Sequence, residues 1–172
     1  MSLTPDEKNI RHLTATFSGP VSSPYEGGTF NVDITLPDGY PVMPPVMRFT
    51  TKVWHPNISN QTGAICIDTL KDNWSPVLNL KAVLLFVQAL LSTPQPNDPQ
   101  DALVAQQFLT DQATFVATAK RWTEKFAKVS SAEFNVKVQK LVEMGFPEAL
   151  VKKTLEAVGG DERKALERLC GI

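Results

Sequence analysis

The sequence predicts an α+β chain: an antiparallel meander sheet with flanking helices, followed by a small three-helix bundle. Three observations lead there. Apolar residues alternate with polar ones over short segments in the first fifty positions, then recur at threes and fours from Leu80 onward. Twelve of the thirteen prolines lie at or before Pro99 and only Pro147 lies beyond, so strands and turns give way to helices near position 100. The early segments are separated by turns too short for a parallel crossover, which makes neighbouring strands antiparallel.

The first strand is "RHLTATF", where Leu13, Ala15 and Phe17 alternate with His12, Thr14 and Thr16. His12 faces outward and reads as a solvated residue. "TFNVDITL" repeats the pattern, with Phe30, Val32, Ile34 and Leu36 on one face, and "VMRFTT" follows the "PDGYPVMPP" turn, so the meander has three or four strands. Leu80, Val83, Leu84, Val87 and Leu91 form the stripe of a helix that "STPQPNDP" ends. Asp98 reads as an N-cap with Pro99 in the first helical position, opening "QDALVAQQFL". A further helix from about Asp111 uses Phe115, Ala119, Trp122 and Phe126, and the first domain, 1–128, ends at Lys128. "VSSA" at 129–132 is a short linker; in 133–172 three helical patterns are broken at Gly145 and at Gly159 with Gly160.

A chain of 172 residues holds one full core and one small module. Seventeen basic and eighteen acidic residues leave a net charge of −1, with no basic run longer than two, which argues against a nucleic-acid or anionic-membrane partner. Cys66 and Cys170 form no disulfide framework, and no Cys-x-x-Cys or His-rich tract suggests a metal, so no cofactor is expected. The apolar run "AVLLFVQALL" is too short to span a bilayer, and "MSLTPDEKNIRH" lacks the apolar stretch of a signal peptide. These features predict a protein of the cytosol or nucleus, and a monomer is expected.

The stretch "HPNISNQTGAICID" carries the chemistry. Between Ile65 and Ile67, Cys66 reads on its own as a buried apolar residue. Three polar groups stand near it in the sequence: Asn57, whose amide can donate to an oxyanion or pin a loop; Asp68, two residues on; and Asp98. None is a strong base for a thiol of ordinary acidity, and His55 is braced by Pro56, so a hydrolase triad has little support. A cysteine that carries an acyl group as a thioester and passes it to an amine needs no histidine. The carbonyl is already activated, and what remains is to deprotonate a lysine and stabilise the tetrahedral oxyanion.

The run from "GPVSSPYEGGTF" through "LPDGYPVMPPVMRFTTKVWHPNISNQTGAICID" to "NWSP" and "PNDPQDALVA" resembles the catalytic domain of ubiquitin-conjugating enzymes over residues 3 to 128. Y-P-x-x-P-P, His-Pro-Asn, the cysteine nine residues after that asparagine and Trp-Ser-Pro eight residues past the cysteine occur together and in order. The resemblance implies that Cys66 accepts the carboxyl terminus of ubiquitin from an activating enzyme, in an ATP-dependent pathway, and passes it to a lysine. By the same likeness Asn57 supports the oxyanion or the active-site loop and Asp98 faces the incoming lysine. His55 is then a structural histidine, with Tyr40 and Asp68 supporting the loop. Val42, Ser75, Pro76 and Val77 fall in the two loops that family members present to the activating enzyme and to ubiquitin ligases; Val42 replaces a frequent phenylalanine.

Residues 133–172, with "LVEMGFPEA", are similar to a ubiquitin-associated domain. The likeness makes Met144, Gly145, Phe146 and the end of the third helix at Leu169 the ubiquitin-binding surface. Arg168 and Cys170 stand where leucines are usual, which predicts a weaker second half of that surface. A catalytic domain followed by this module resembles the subgroup that extends ubiquitin chains. Family members begin with an amphipathic helix that docks on the activating enzyme, whereas this sequence starts near its first strand, so impaired charging or a truncated chain is expected. The alternative function is a ubiquitin-binding adaptor or competitor.

Overall fold

A computed structural model describes residues 1–65, 74–128, 131–158 and 160–171. Cys66 and Asp68 lie outside the described residues.

Four strands form one antiparallel sheet in sequence order: β1 Ser2–Pro5, β2 His12–Ser18, β3 Thr29–Thr35 and β4 Val46–Phe49. Leu13 pairs with Ile34 and Phe17 with Phe30, and Val32 pairs with Phe49, so the predicted apolar faces stack in register. Leu13, Ala15, Phe17, Phe30, Val32, Ile34, Met47 and Phe49 are all buried on one side of the sheet. Phe49 meets Phe17 and Phe30 edge-on, with ring centroids 5.9 and 6.3 Å away. β4 ends at Phe49 rather than Thr51, because the Phe49 N–H turns to the Gly63 carbonyl at 2.8 Å and the Thr50 N–H reaches the Asn31 carbonyl.

The additional strand, β1, is exposed throughout and lacks an apolar face; its pairing with β2, from Ser2 opposite Thr16 to Pro5 opposite Leu13, makes it a strand. On the outer face His12 differs from the expected solvated residue. Its Nε2 bonds Asp33, its Nδ1 lies 3.4 Å from Asp6, and Asp33 also accepts from Arg48 Nε at 3.1 Å. Hydrogen bonds to the two carboxylates, Asp33 first, raise the imidazole above its ordinary value.

Helices α1 (Leu80–Ser92), α2 (Ala102–Thr110) and α3 (Gln112–Trp122) follow. α1 buries Val83, Leu84, Val87 and Leu91 against the sheet, with Asn79 Oδ1 capping the Ala82 N–H. The predicted cap at Asp98 is corrected: α2 starts three residues later, and Asp101 accepts the Val104 N–H. Asp98 and Asp101 are equivalent as caps in the sequence, but the N–H groups of Gln100 and Asp101 both point at the Pro56 carbonyl, which keeps the chain out of helix until Asp101. α3 opens at Asp111 and runs into a π-helical turn, Thr123–Ala127, whose Thr123 and Ala127 side chains lie over Gly28. A side chain at Gly28 would press on Thr123 and Ala127.

Helices α4 (Ser131–Glu143), α5 (Glu148–Ala157) and α6 (Glu162–Leu169) form the second core from Val138, Leu141, Val151, Leu155, Val158 and Ala165. α4 begins at Ser131, inside the stretch read as a linker.

Candidate active site

The sequence from Trp54 to Ile65 makes two linked turns. His55 is fully buried and spends both ring nitrogens inside the protein. Nδ1 accepts the Asn57 N–H at 3.1 Å, so the proton sits on Nε2, which donates to the Leu90 carbonyl of α1 at 3.0 Å. Burial pushes this histidine down to about 4, only partly opposed by the Leu90 bond. At neutral pH it is an uncharged pillar with neither a proton nor a lone pair to offer a thiol.

Asn57 is equally buried and its side chain is fully engaged. Nδ2 donates to the Gln95 carbonyl at 2.8 Å and to the Asp98 carbonyl at 2.9 Å, while Oδ1 accepts the Gln95 N–H at 2.8 Å. The two N–H bonds onto the Pro56 carbonyl, from Gln100 and Asp101 at 2.9 Å each, run alongside. Five hydrogen bonds thus join the 56–57 turn to residues 95–101 and fix the backbone of Asp98. An oxyanion role for Asn57 requires one amide hydrogen to leave a carbonyl, whereas its loop-supporting role is built in.

After Asn57, a tight hairpin leads to the cysteine. Ile58 bridges Ile65, Ser59 N–H bonds the Ala64 carbonyl at 2.9 Å, and Gly63 adopts φ +74°. Any side chain at Gly63 would collide with the Phe49 carbonyl, so this turn requires glycine twice over, by dihedral and by space. Ile58 is buried and Ile65 packs on the main core, which anchors the hairpin up to the residue before Cys66.

Tyr40 lies beside the second loop, its ring 6.2 Å from that of Trp74. Trp74 Nε1–H donates to the Pro41 carbonyl at 2.8 Å and ties the 40–43 turn to the 74–77 turn. The pair presents Val42 and Val77 at 75% and 87% exposure, with Pro76 also exposed and Ser75 half-buried. These apolar side chains stand exposed on two loops that the Trp74 bond holds together. In the helical module Met144 is 55% exposed and Gly145 has φ +98° at the turn between α4 and α5. Phe146 and Leu169 sit half-buried against the small core.

Sequence reasoning missed Gln95, the Pro56 carbonyl and Trp54, because two of these act through backbone atoms. Among the described residues no group of three or more histidine, cysteine or acidic side chains could hold a metal ion, and no helix is long and apolar enough to cross a membrane.

A family model described as ubiquitin-conjugating enzyme matches residues 1–123, and one described as UBA/TS-N domain matches residues 133–169. The chain is 60% identical over 166 residues to ubiquitin-conjugating enzyme E2 27 of Arabidopsis thaliana, covering 96% of this chain and 85% of that protein. Against human ubiquitin-conjugating enzyme E2 K the identity is 44% over 165 residues, covering 95% and 82%. Among solved structures, the E2 domain of a Toxoplasma gondii ubiquitin conjugating enzyme is 51% identical with a TM-score of 0.72, over 74% of this chain and 88% of that one.

Proposed function

This chain belongs to the ubiquitin-conjugating enzyme family, and we propose that it holds ubiquitin as a thioester on Cys66, passes it to a lysine and extends polyubiquitin chains. The observation that carries the site assignment is the clamp between the His55-Pro56-Asn57 turn and residues 95–101, which holds the Asp98 backbone against the turn leading to Cys66. In transfer, the lysine nitrogen attacks the thioester carbonyl, a C–N bond forms, the C–S bond breaks and the Cys66 thiolate leaves. A free lysine near pKa 10.4 is protonated at neutral pH. The Asp98 carboxylate orients the ammonium and takes part in its deprotonation. With His55 neutral and engaged on both nitrogens, the turn supplies no base that would activate water against the thioester.

Val42, Pro76 and Val77 are the surface for the activating enzyme and ligases. Met144 and Phe146 hold a second ubiquitin, from which chain extension draws its acceptor. Incubation with activating enzyme, ATP and ubiquitin tests the reading. A thiol-reducible adduct is expected from the wild type and a reductant-resistant one from Cys66→Ser. Absence of any adduct on the wild type would refute the assignment, and ubiquitin binding without charging would identify an adaptor. In the full chain, Met144→Asp should slow formation of linked ubiquitin while leaving discharge to free lysine intact.

A further inference from the structure

Trp54 stands immediately before the His55-Pro56-Asn57 turn and is held on three sides. Its carbonyl accepts the buried Tyr25 hydroxyl at 2.7 Å, its ring lies 5.1 Å from that of Trp122, and its indole N–H donates to Gln107 Oε1 at 2.8 Å. Gln107 is on α2, six residues past the Asp101 cap. The same helix is already fastened to the turn at its start, where Gln100 and Asp101 N–H meet the Pro56 carbonyl. α2 therefore grips the 54–57 segment at two points about 9 Å apart along its axis, enough to fix its tilt as well as its position. Asp98 lies three residues before the cap, and its backbone is bonded to Asn57 from the other side. Trp54 and Gln107 are both only half-buried, so water could satisfy the indole without the glutamine; what the glutamine adds is alignment.

We propose that Gln107 is a positioning residue for lysine transfer: through Trp54 it aligns α2, and with it the segment carrying Asp98, against the Asn57 turn. The proposal rests on the reading of Cys66 and Asp98 given above. Without the Gln107 contact the helix is held to the turn at one end, and its tilt is passed to Asp98.

The test uses the full chain and three substitutions. Gln107→Met keeps length but removes the acceptor, Gln107→Glu keeps an acceptor, and Asp98→Ala removes the carboxylate being placed. Charging by activating enzyme and single-turnover discharge to free lysine are measured separately. Gln107→Met should slow discharge by roughly 10- to 100-fold with charging within about twofold, as misplacement of a reacting group does. Gln107→Glu should restore discharge, and in the Asp98→Ala background Gln107→Met should add nothing. Trp54→Phe removes the donor while keeping a ring against Trp122, and should reproduce the split if Gln107→Met does not fold. Wild-type discharge rates in Gln107→Met, an equal fall in charging and discharge, or full additivity with Asp98→Ala would each overturn the positioning role. A wild type that never charges overturns the Cys66 reading first, and indifference of wild-type transfer to Asp98→Ala overturns the Asp98 reading.

Discussion

Replacing His55 with glutamine should change how the stability of the sheet domain depends on pH, by an amount the buried ring sets. Folding holds this imidazole neutral at a pKa of about 4, against an ordinary value near 6.5 in the unfolded chain. The unfolded state therefore binds a proton that the folded state refuses between those limits. The stabilisation is complete above pH 6.5, is lost progressively as pH falls, and is gone below about 4. Linkage puts the loss at about 2 kcal/mol between pH 7.5 and pH 5, and about 3 kcal/mol by pH 4. Urea unfolding followed by tryptophan fluorescence reads this domain alone, because Trp54, Trp74 and Trp122 all precede residue 129. His55→Gln lowers stability at every pH by what it does to packing, so the informative quantity is wild type minus variant, in which His12 and the carboxylates cancel. That difference should shrink by about 2 kcal/mol from pH 7.5 to 5. A flat difference, or one that grows on acidification, would refute the neutral, doubly bonded ring.

Three further outcomes follow from the geometry. Asn57→Ala orphans the Gln95 N–H and two carbonyls, and should cost about 2 to 4 kcal/mol in urea unfolding while slowing lysine discharge roughly 100-fold; full stability with transfer lost would instead mean that Nδ2 is released to the oxyanion. Gly63→Ala should lower thermal stability by about 2 kcal/mol or more, since the φ is unfavourable and the Phe49 carbonyl occupies the space; an unchanged melting temperature contradicts the turn described. His12, raised by Asp33 and Asp6, contributes stability that is fully present below about pH 6.5 and is lost as pH rises through its folded value, so His12→Gln should flatten the alkaline side of the stability curve. NMR titration of His12 to a value at or below 6.5 would disprove that sign.

Much of the scaffold was legible because alternation is a local property. The inward residues of β2 and β3 could be named from spacing alone, and all of them except the half-buried Leu36, just past the end of β3, are buried. What escaped was decided by distant partners. β1 has four exposed residues and a proline, and nothing in that pattern announces a strand until β2 lies beside it. Asp98 and Asp101 satisfy the same capping rule, and the choice between them belongs to a carbonyl 45 residues before Asp101. His12 was placed on the correct face, yet Asp33 faces it from another strand. At the site, His-Pro-Asn stood out as polar groups before a cysteine framed by two isoleucines. Their partners are backbone atoms of Leu90, Gln95 and Asp98, which no side-chain pattern encodes.

The bonds that make the site also set when it can exist during synthesis. Asn57 and Asp98 are 41 positions apart, and Trp54 and Gln107 are 53. At ~5–20 residues per second, the turn beside Cys66 waits roughly 2 to 10 s for the residues that will hold it. Contacts of such sequence separation come late, after the local hairpins have closed. A partly made chain thus holds Cys66 before the residues that clamp the neighbouring turn have been made, and the His55-Pro56-Asn57 turn has no partners until they arrive.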